Sequence, residues 1–76
     1  MKKSIYSAKQ KILCDLLAKG RKAAGLTQIQ LAAKLGKPQS FVAKFEGGER
    51  RLDFIELIEV ADTLGLDISL LLKKLQ

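Results

Sequence analysis

The side chains best suited to chemistry in this 76-residue chain lie between Thr27 and Gly47. That run reads as two short helices joined by a tight turn at Gly36, and the second helix begins with small, polar and basic residues. Helices paired in this way can lay the second one in the major groove of DNA, where it reads base sequence. Reactive chemistry has little to work with. The chain contains no histidine, so it lacks an imidazole base or ligand, and the lone Cys14 makes no zinc site. Cys14 falls in a helical stretch, where it serves as a small semi-buried residue. Glu56, Glu59 and Asp62 invite a carboxylate site, but their spacing spreads them around the outer side of a helix as a solvated face. Gly47-Gly48 follows no strand and is a helix stop, not a phosphate loop. The sequence predicts a binding protein that is not an enzyme and uses no cofactor or metal.

Charge points to the partner. The net charge is +6, and it is unevenly placed. Residues 1–51 carry 12 Lys/Arg against 3 Asp/Glu, a net +9, whereas residues 52–76 carry 2 against 5, a net −3. Basic charge gathered around the helical pair is the electrostatic footprint of a polyanion binder. With 47% hydrophobic residues the chain has material for one compact core, and 1–76 is expected to be a single domain. One cysteine forms no intramolecular disulfide, so the fold does not depend on an oxidising compartment. Met1-Lys-Lys-Ser is not followed by an apolar run, and the leucine-rich stretch from Leu66 to Leu75 is too short to span a bilayer. A cytoplasmic, nucleoid-associated protein without a membrane partner is expected. Residues 1–6 read as a flexible arm, whose Lys2 and Lys3 either solubilise the chain or reach along DNA.

The elements that must position the helical pair are also legible. Ser7 and Gln10 have capping-box spacing, and Ile12, Leu13, Leu16, Leu17, Ala23 and Ala24 recur with helical period up to Gly25. Gly20 sits inside this first helix at a cost of about 1 kcal/mol against alanine, which makes sense if another backbone packs closely there. Thr27 and Gln30 repeat the capping box and open a second helix with Leu31, Ala32 and Leu35 inward. Pro38 suits the entry of the third, which buries Val42 and Phe45 and keeps Phe41 at its margin. Asp53 and Glu56 cap a fourth helix, with Leu52 and Leu57 as a hydrophobic staple. It is expected to bury Phe54, Leu57, Ile58, Ala61 and Leu64 and to stop at Gly65. Asp67 caps a fifth, in which Ile68, Leu71, Leu72 and Leu75 share one side and Leu70 lies off it.

A small residue midway along the first helix of a tight pair lets the second approach, and Ala32 supplies it. Gly36 tolerates the positive φ of the turn, while Leu31, Leu35, Val42 and Phe45 seal the angle. With the flanking helices, these spacings resemble the helix-turn-helix domain of the Cro and phage-repressor family, the XRE-like regulators. The likeness is closest to small stand-alone bacterial members with a run such as Gln39-Ser-Phe-Val-Ala-Lys-Phe-Glu46 and Gly48-Glu-Arg-Arg-Leu-Asp53, and it covers roughly residues 10–75.

The resemblance implies an all-α, five-helix, lambda-repressor-like domain, often dimeric, whose third helix reads operator DNA from a helix-turn-helix unit spanning about 27–47. By position, Gln39, Ser40 and Lys44 fall where family members contact base edges. Their chemistry suits the task, since glutamine pairs bidentately with adenine, lysine donates to guanine, and Ala43 can lie against a thymine methyl. Gln28 falls where the family anchors a phosphate, and Lys37, Arg50 and Arg51 are further phosphate candidates on the flanking loops. Arg21 and Glu46 match positions that form an ion pair between the first and third helices. Two departures stand out. Lys37 occupies a turn position where an apolar residue is common, and Pro38 replaces the Ser or Thr that often caps the third helix. The implied function is a transcriptional regulator, a repressor binding a palindromic operator as a homodimer joined near Leu70, with no small-molecule effector inferred. Two alternatives remain: a DNA-binding antitoxin of a toxin–antitoxin pair, and a protein-interaction module on the same fold.

Overall fold

Five helices follow one another in the computed structural model, which describes residues 8–76: α1 (Ala8–Ala23), α2 (Gln28–Leu35), α3 (Gln39–Glu46), α4 (Phe54–Leu64) and α5 (Ile68–Lys74). The Ser7 cap and the Lys2–Lys3 arm lie outside the described residues. Short polar side chains start the helices by taking up orphan N–H groups. Thr27 Oγ1 accepts from Gln30 N at 3.1 Å while Gln30 Oε1 accepts from Thr27 N at 2.8 Å. Asp53 and Glu56 make the same reciprocal pair at the head of α4. Gly36 turns the chain between α2 and α3 at φ 68°, a left-handed conformation that side chains with a Cβ resist. Pro38 then precedes α3 in extended conformation and makes no side-chain cap bond.

The core lies where α2 and α3 meet α1 and α4. Leu17, Leu31, Ala32, Val42, Phe45, Val60 and Ala61 are all at most 2% exposed. Ala32 is buried in this same core, among Leu31, Val42 and Phe45. Leu64 and Leu71 carry the same core towards α5.

Several expected burials are rearranged. In α4 the inward row is Leu57, Val60, Ala61 and Leu64, spaced i, i+3, i+4, i+7, which turns Phe54 (63% exposed) and Ile58 (38% exposed) to solvent. In α1 the buried row is Cys14, Leu17 and Arg21, leaving Ile12, Ala23 and Ala24 outside. Leu72 of α5 is exposed, while Phe41 is buried and not marginal. Close packing does occur at Gly20, but against a side chain and not a backbone: an added Cβ would stand 2.8 Å from Leu66 Cδ1. Burial raises the Cys14 thiol pKa and so disfavours its thiolate; Gln10 Nε2 donates to the sulfur at 3.7 Å.

Candidate nucleic-acid interface

Helix α3 is buried along Phe41, Val42 and Phe45, which leaves Gln39, Ser40 and Lys44 exposed and Ala43 partly so. At about 100° per residue these four side chains share one outward stripe. Its donors and acceptors are an amide, a hydroxyl and an ammonium, and no described residue covers Gln39, Ser40 or Lys44.

Beneath the stripe runs a chain of hydrogen bonds that begins in the interior. Arg21 and Glu46 lie together: Nε donates to Oε2 at 2.7 Å and Nη2 to Oε1 at 3.1 Å, a two-pronged contact. Arg21 Nη1 also donates to the carbonyl of Leu26 at 2.8 Å, tying α1 to the start of the helical pair. The two side chains are 10% and 8% exposed. Glu46 holds the Arg21 guanidinium even more firmly protonated than usual.

Glu46 also accepts from Gln28 Nε2 at 3.0 Å, and Gln28 Oε1 in turn accepts from Gln39 Nε2 at 2.9 Å. The direction of this relay is fixed by chemistry. An ionised carboxylate can only accept, so Gln28 must turn its NH₂ to Glu46 and its carbonyl to Gln39. Gln39 must then give one amide hydrogen inward. Its carbonyl oxygen and second amide hydrogen are left pointing away from that contact. Gln28, at the first position of α2, has one amide hydrogen outside these two bonds.

The remaining basic candidates divide. Lys37 is exposed, with Nζ 5.4 Å from the centroid of the Phe41 ring. Arg50 is engaged within the protein: Nη1 and Nη2 donate to the two oxygens of Glu56 at 2.9 and 2.8 Å, and Nη1 also reaches the Arg51 carbonyl at 2.9 Å. Its guanidinium carbon stands 4.8 Å from the Phe41 centroid. Arg51 itself is exposed. Glu56 is therefore no part of a solvated face, its side chain being 15% exposed. The Arg50 fork, with help from the Asp53 N–H, lowers its carboxyl pKa to about 2. Reading Glu56 as a capping-box partner and as one of three solvated carboxylates misses this second bond. The single available signal was an Arg and a Glu flanking one loop.

Among the described residues no group of His, Cys, Asp and Glu is placed to hold a metal ion, and no helix is long and apolar enough to cross a membrane. A family profile described as helix-turn-helix matches residues 17–71. A solved structure of an XRE-family like protein from Pseudomonas syringae pv. tomato str. DC3000 is 52% identical, covers 93% of this chain and 87% of that one, and superposes with a TM-score of 0.85. The wild-type restriction-modification controller protein covers 91% of each chain with a TM-score of 0.80. At 22% identity it shares the fold alone. No curated protein gives a significant match.

Proposed function

The chain belongs to the XRE-type helix-turn-helix family, a fold of DNA-binding regulators, and from that footing we propose that it is a sequence-specific repressor that binds a two-fold-symmetric operator as a homodimer. The relay from Arg21 through Glu46 and Gln28 to Gln39 carries this reading. It delivers to the start of α3 an amide whose carbonyl and N–H suit the N6–H and N7 of adenine. Ser40 and Lys44 extend the same stripe with a hydroxyl and a donor for guanine O6 or N7, and Ala43 offers a methyl for thymine. Gln28, Lys37 and Arg51 flank it as phosphate contacts, which add affinity without sequence preference.

Self-association rests on α5. Leu70 is 54% exposed beside an apolar hollow lined by Leu16, Gly20, Ala23, Leu66 and Leu71. Asp67 and Lys74 stand on the rim of that hollow, at opposite ends of the short helix. Two copies packed antiparallel would place each Asp67 against the partner copy's lysine and each leucine in the facing hollow.

Selection of bound duplexes from a random library tests the function directly. A palindromic consensus with half-sites about one helical turn apart is expected. Gln39→Ala should relax one or two positions by about 1–3 kcal/mol, whereas Gln28→Ala, which removes a phosphate contact and the acceptor that orients Gln39, should weaken all duplexes and also relax the position Gln39 reads. Uniform weakening by Gln39→Ala, or an asymmetric single site, contradicts the proposal. Leu70→Glu should leave a folded monomer in sedimentation; an unchanged dimer would move the interface elsewhere.

A further inference from the structure

Arg50 and Glu56 spend their charges on each other beside the candidate DNA surface, and the arrangement involves more than an ion pair. Phe41 lies in the first turn of α3, between the outward Ser40 and the core residue Val42, and is only 8% exposed. Its ring meets Phe45 edge-on at 5.4 Å inside the protein, while Arg50 and Lys37 approach it at 4.8 and 5.4 Å. Glu56 grips Arg50 with both oxygens and with one of them also accepts from Asp53 N at 2.9 Å. One carboxylate in the first turn of α4 thus joins three parts: the α4 cap, the loop arginine and, through the guanidinium 4.8 Å from the Phe41 centroid, the first turn of α3. Residues 47–53 between the two helices contain no regular element.

We propose that Phe41, Arg50 and Glu56 form a clasp that fixes the α3–α4 loop and the seating of α3, so that Arg50 serves DNA recognition by positioning and not as a phosphate contact. This deepens the DNA-binding reading above and rests on it. A planar guanidinium is required, because it alone can lie on a ring face and offer a two-pronged edge to a carboxylate; an ammonium does one or the other. The depressed Glu56 carboxyl stays ionised at any working pH, which keeps the clasp closed. Charge gives the idea a decisive sign. Glu56 is an anion next to a surface meant for a polyanion, so its neutralisation should favour DNA on electrostatic grounds alone. A positioning role predicts the opposite for the chosen sequence.

The test uses the full chain as wild type, Glu56→Gln and Arg50→Lys, titrated with a selected duplex and with a random duplex. Measurements are made below each variant's unfolding temperature. Both variants should lower the ratio of selected to random affinity by about tenfold, with Glu56→Gln holding or tightening the random duplex. If Glu56→Gln tightens both duplexes equally and Arg50→Lys leaves the ratio intact, Arg50 is a phosphate contact and the clasp is wrong. Hydrogen exchange of the Gly48–Arg51 amides in free protein judges the clasp without DNA. Exchange at least about tenfold faster in both variants is expected, and unchanged exchange overturns the clasp. A wild type without duplex preference would refute the DNA reading, and the exchange result would still decide the clasp.

Discussion

Glu46→Ala tests whether the interior ion pair governs both stability and recognition. Glu46 accepts from Arg21 Nε at 2.7 Å, from Arg21 Nη2 at 3.1 Å and from Gln28 Nε2 at 3.0 Å. Deleting the carboxylate leaves a guanidinium, in a site where its side chain is 10% exposed, with the Leu26 carbonyl as its remaining partner. Removing one member of a buried pair costs about 3–5 kcal/mol. At roughly 0.05–0.15 kcal/mol per residue, the whole chain holds only about 4–11 kcal/mol. The variant should therefore sit near the edge of folding, its Tm lower by at least about 12 °C. Arg21→Ala should cost about as much, since the carboxylate keeps Gln28 alone. The apolar double replacement, Arg21→Met with Glu46→Leu, strands neither charge and should recover most of the loss. Urea unfolding followed by circular dichroism of Arg21→Met, Glu46→Leu and their combination yields the coupling, expected at about 2 kcal/mol or more. That folded double variant should also lose duplex selectivity, because Gln28 no longer has the acceptor that orients it. Single variants costing under about 1 kcal/mol each, and adding without coupling, would mean that the pair behaves as a solvated contact, and the reasoning would fail.

Acid should unfasten the second carboxylate in a defined window. The Glu56 carboxyl is held at about 2 against an ordinary 4.5, so the fold favours its ionised form. That contribution is whole above the ordinary value and disappears as pH falls towards about 2. The urea midpoint of wild type should drop more steeply over that window than that of Glu56→Gln, and parallel curves would contradict the assignment. Gly36→Ala should cost about 1–2 kcal/mol in thermal unfolding through φ strain alone, since no atom lies within 4 Å of an added Cβ; an unchanged Tm would mean that the turn relaxes freely. Phe45→Ala should cost about 3–5 kcal/mol and Phe54→Ala stay within about 0.5 kcal/mol. Equal losses from these two residues, 1% and 63% exposed, would place the α4 packing elsewhere.

The sequence was most legible where structure is local. Thr27 with Gln30, Asp53 with Glu56, and the glycines at 36 and 65 act within a few residues, and the boundaries of α2 and α4 follow from them. The buried row of α4 was harder to read. Phe54, Ile55, Leu57, Ile58, Val60, Ala61 and Leu64 put apolar groups over most of the helix surface, so periodicity cannot choose a phase. Docking against the rest of the fold makes the choice, and it selects Val60 over Phe54. Gly20 meets the Leu66 side chain and not the backbone its type suggests, and because Leu66 lies far along the chain no spacing names it. The Arg50–Glu56 contact crosses a loop, where no helical or strand period relates the two. Arg21 and Glu46 are 25 residues apart and entered the argument through resemblance, not pattern.

An apolar pair could hold α1 against α3 as well as Arg21 and Glu46 do, and with less desolvation. It could not impose a direction. The two ends of a glutamine amide are nearly the same size and differ only in donating or accepting. Arg21 can only donate and Glu46 can only accept, so the first bond has one possible sense. Gln28 must then offer its nitrogen inward and its oxygen to Gln39. Gln39 in turn must give a hydrogen inward, which sets what its outer edge presents. The polarity of a surface amide is thus inherited, in three steps, from a charge in the core. On this logic the buried pair contributes orientation more than an apolar pair could, whatever it adds to stability. If α3 reads base edges as proposed, interior substitutions that keep the fold should still blur the choice of base.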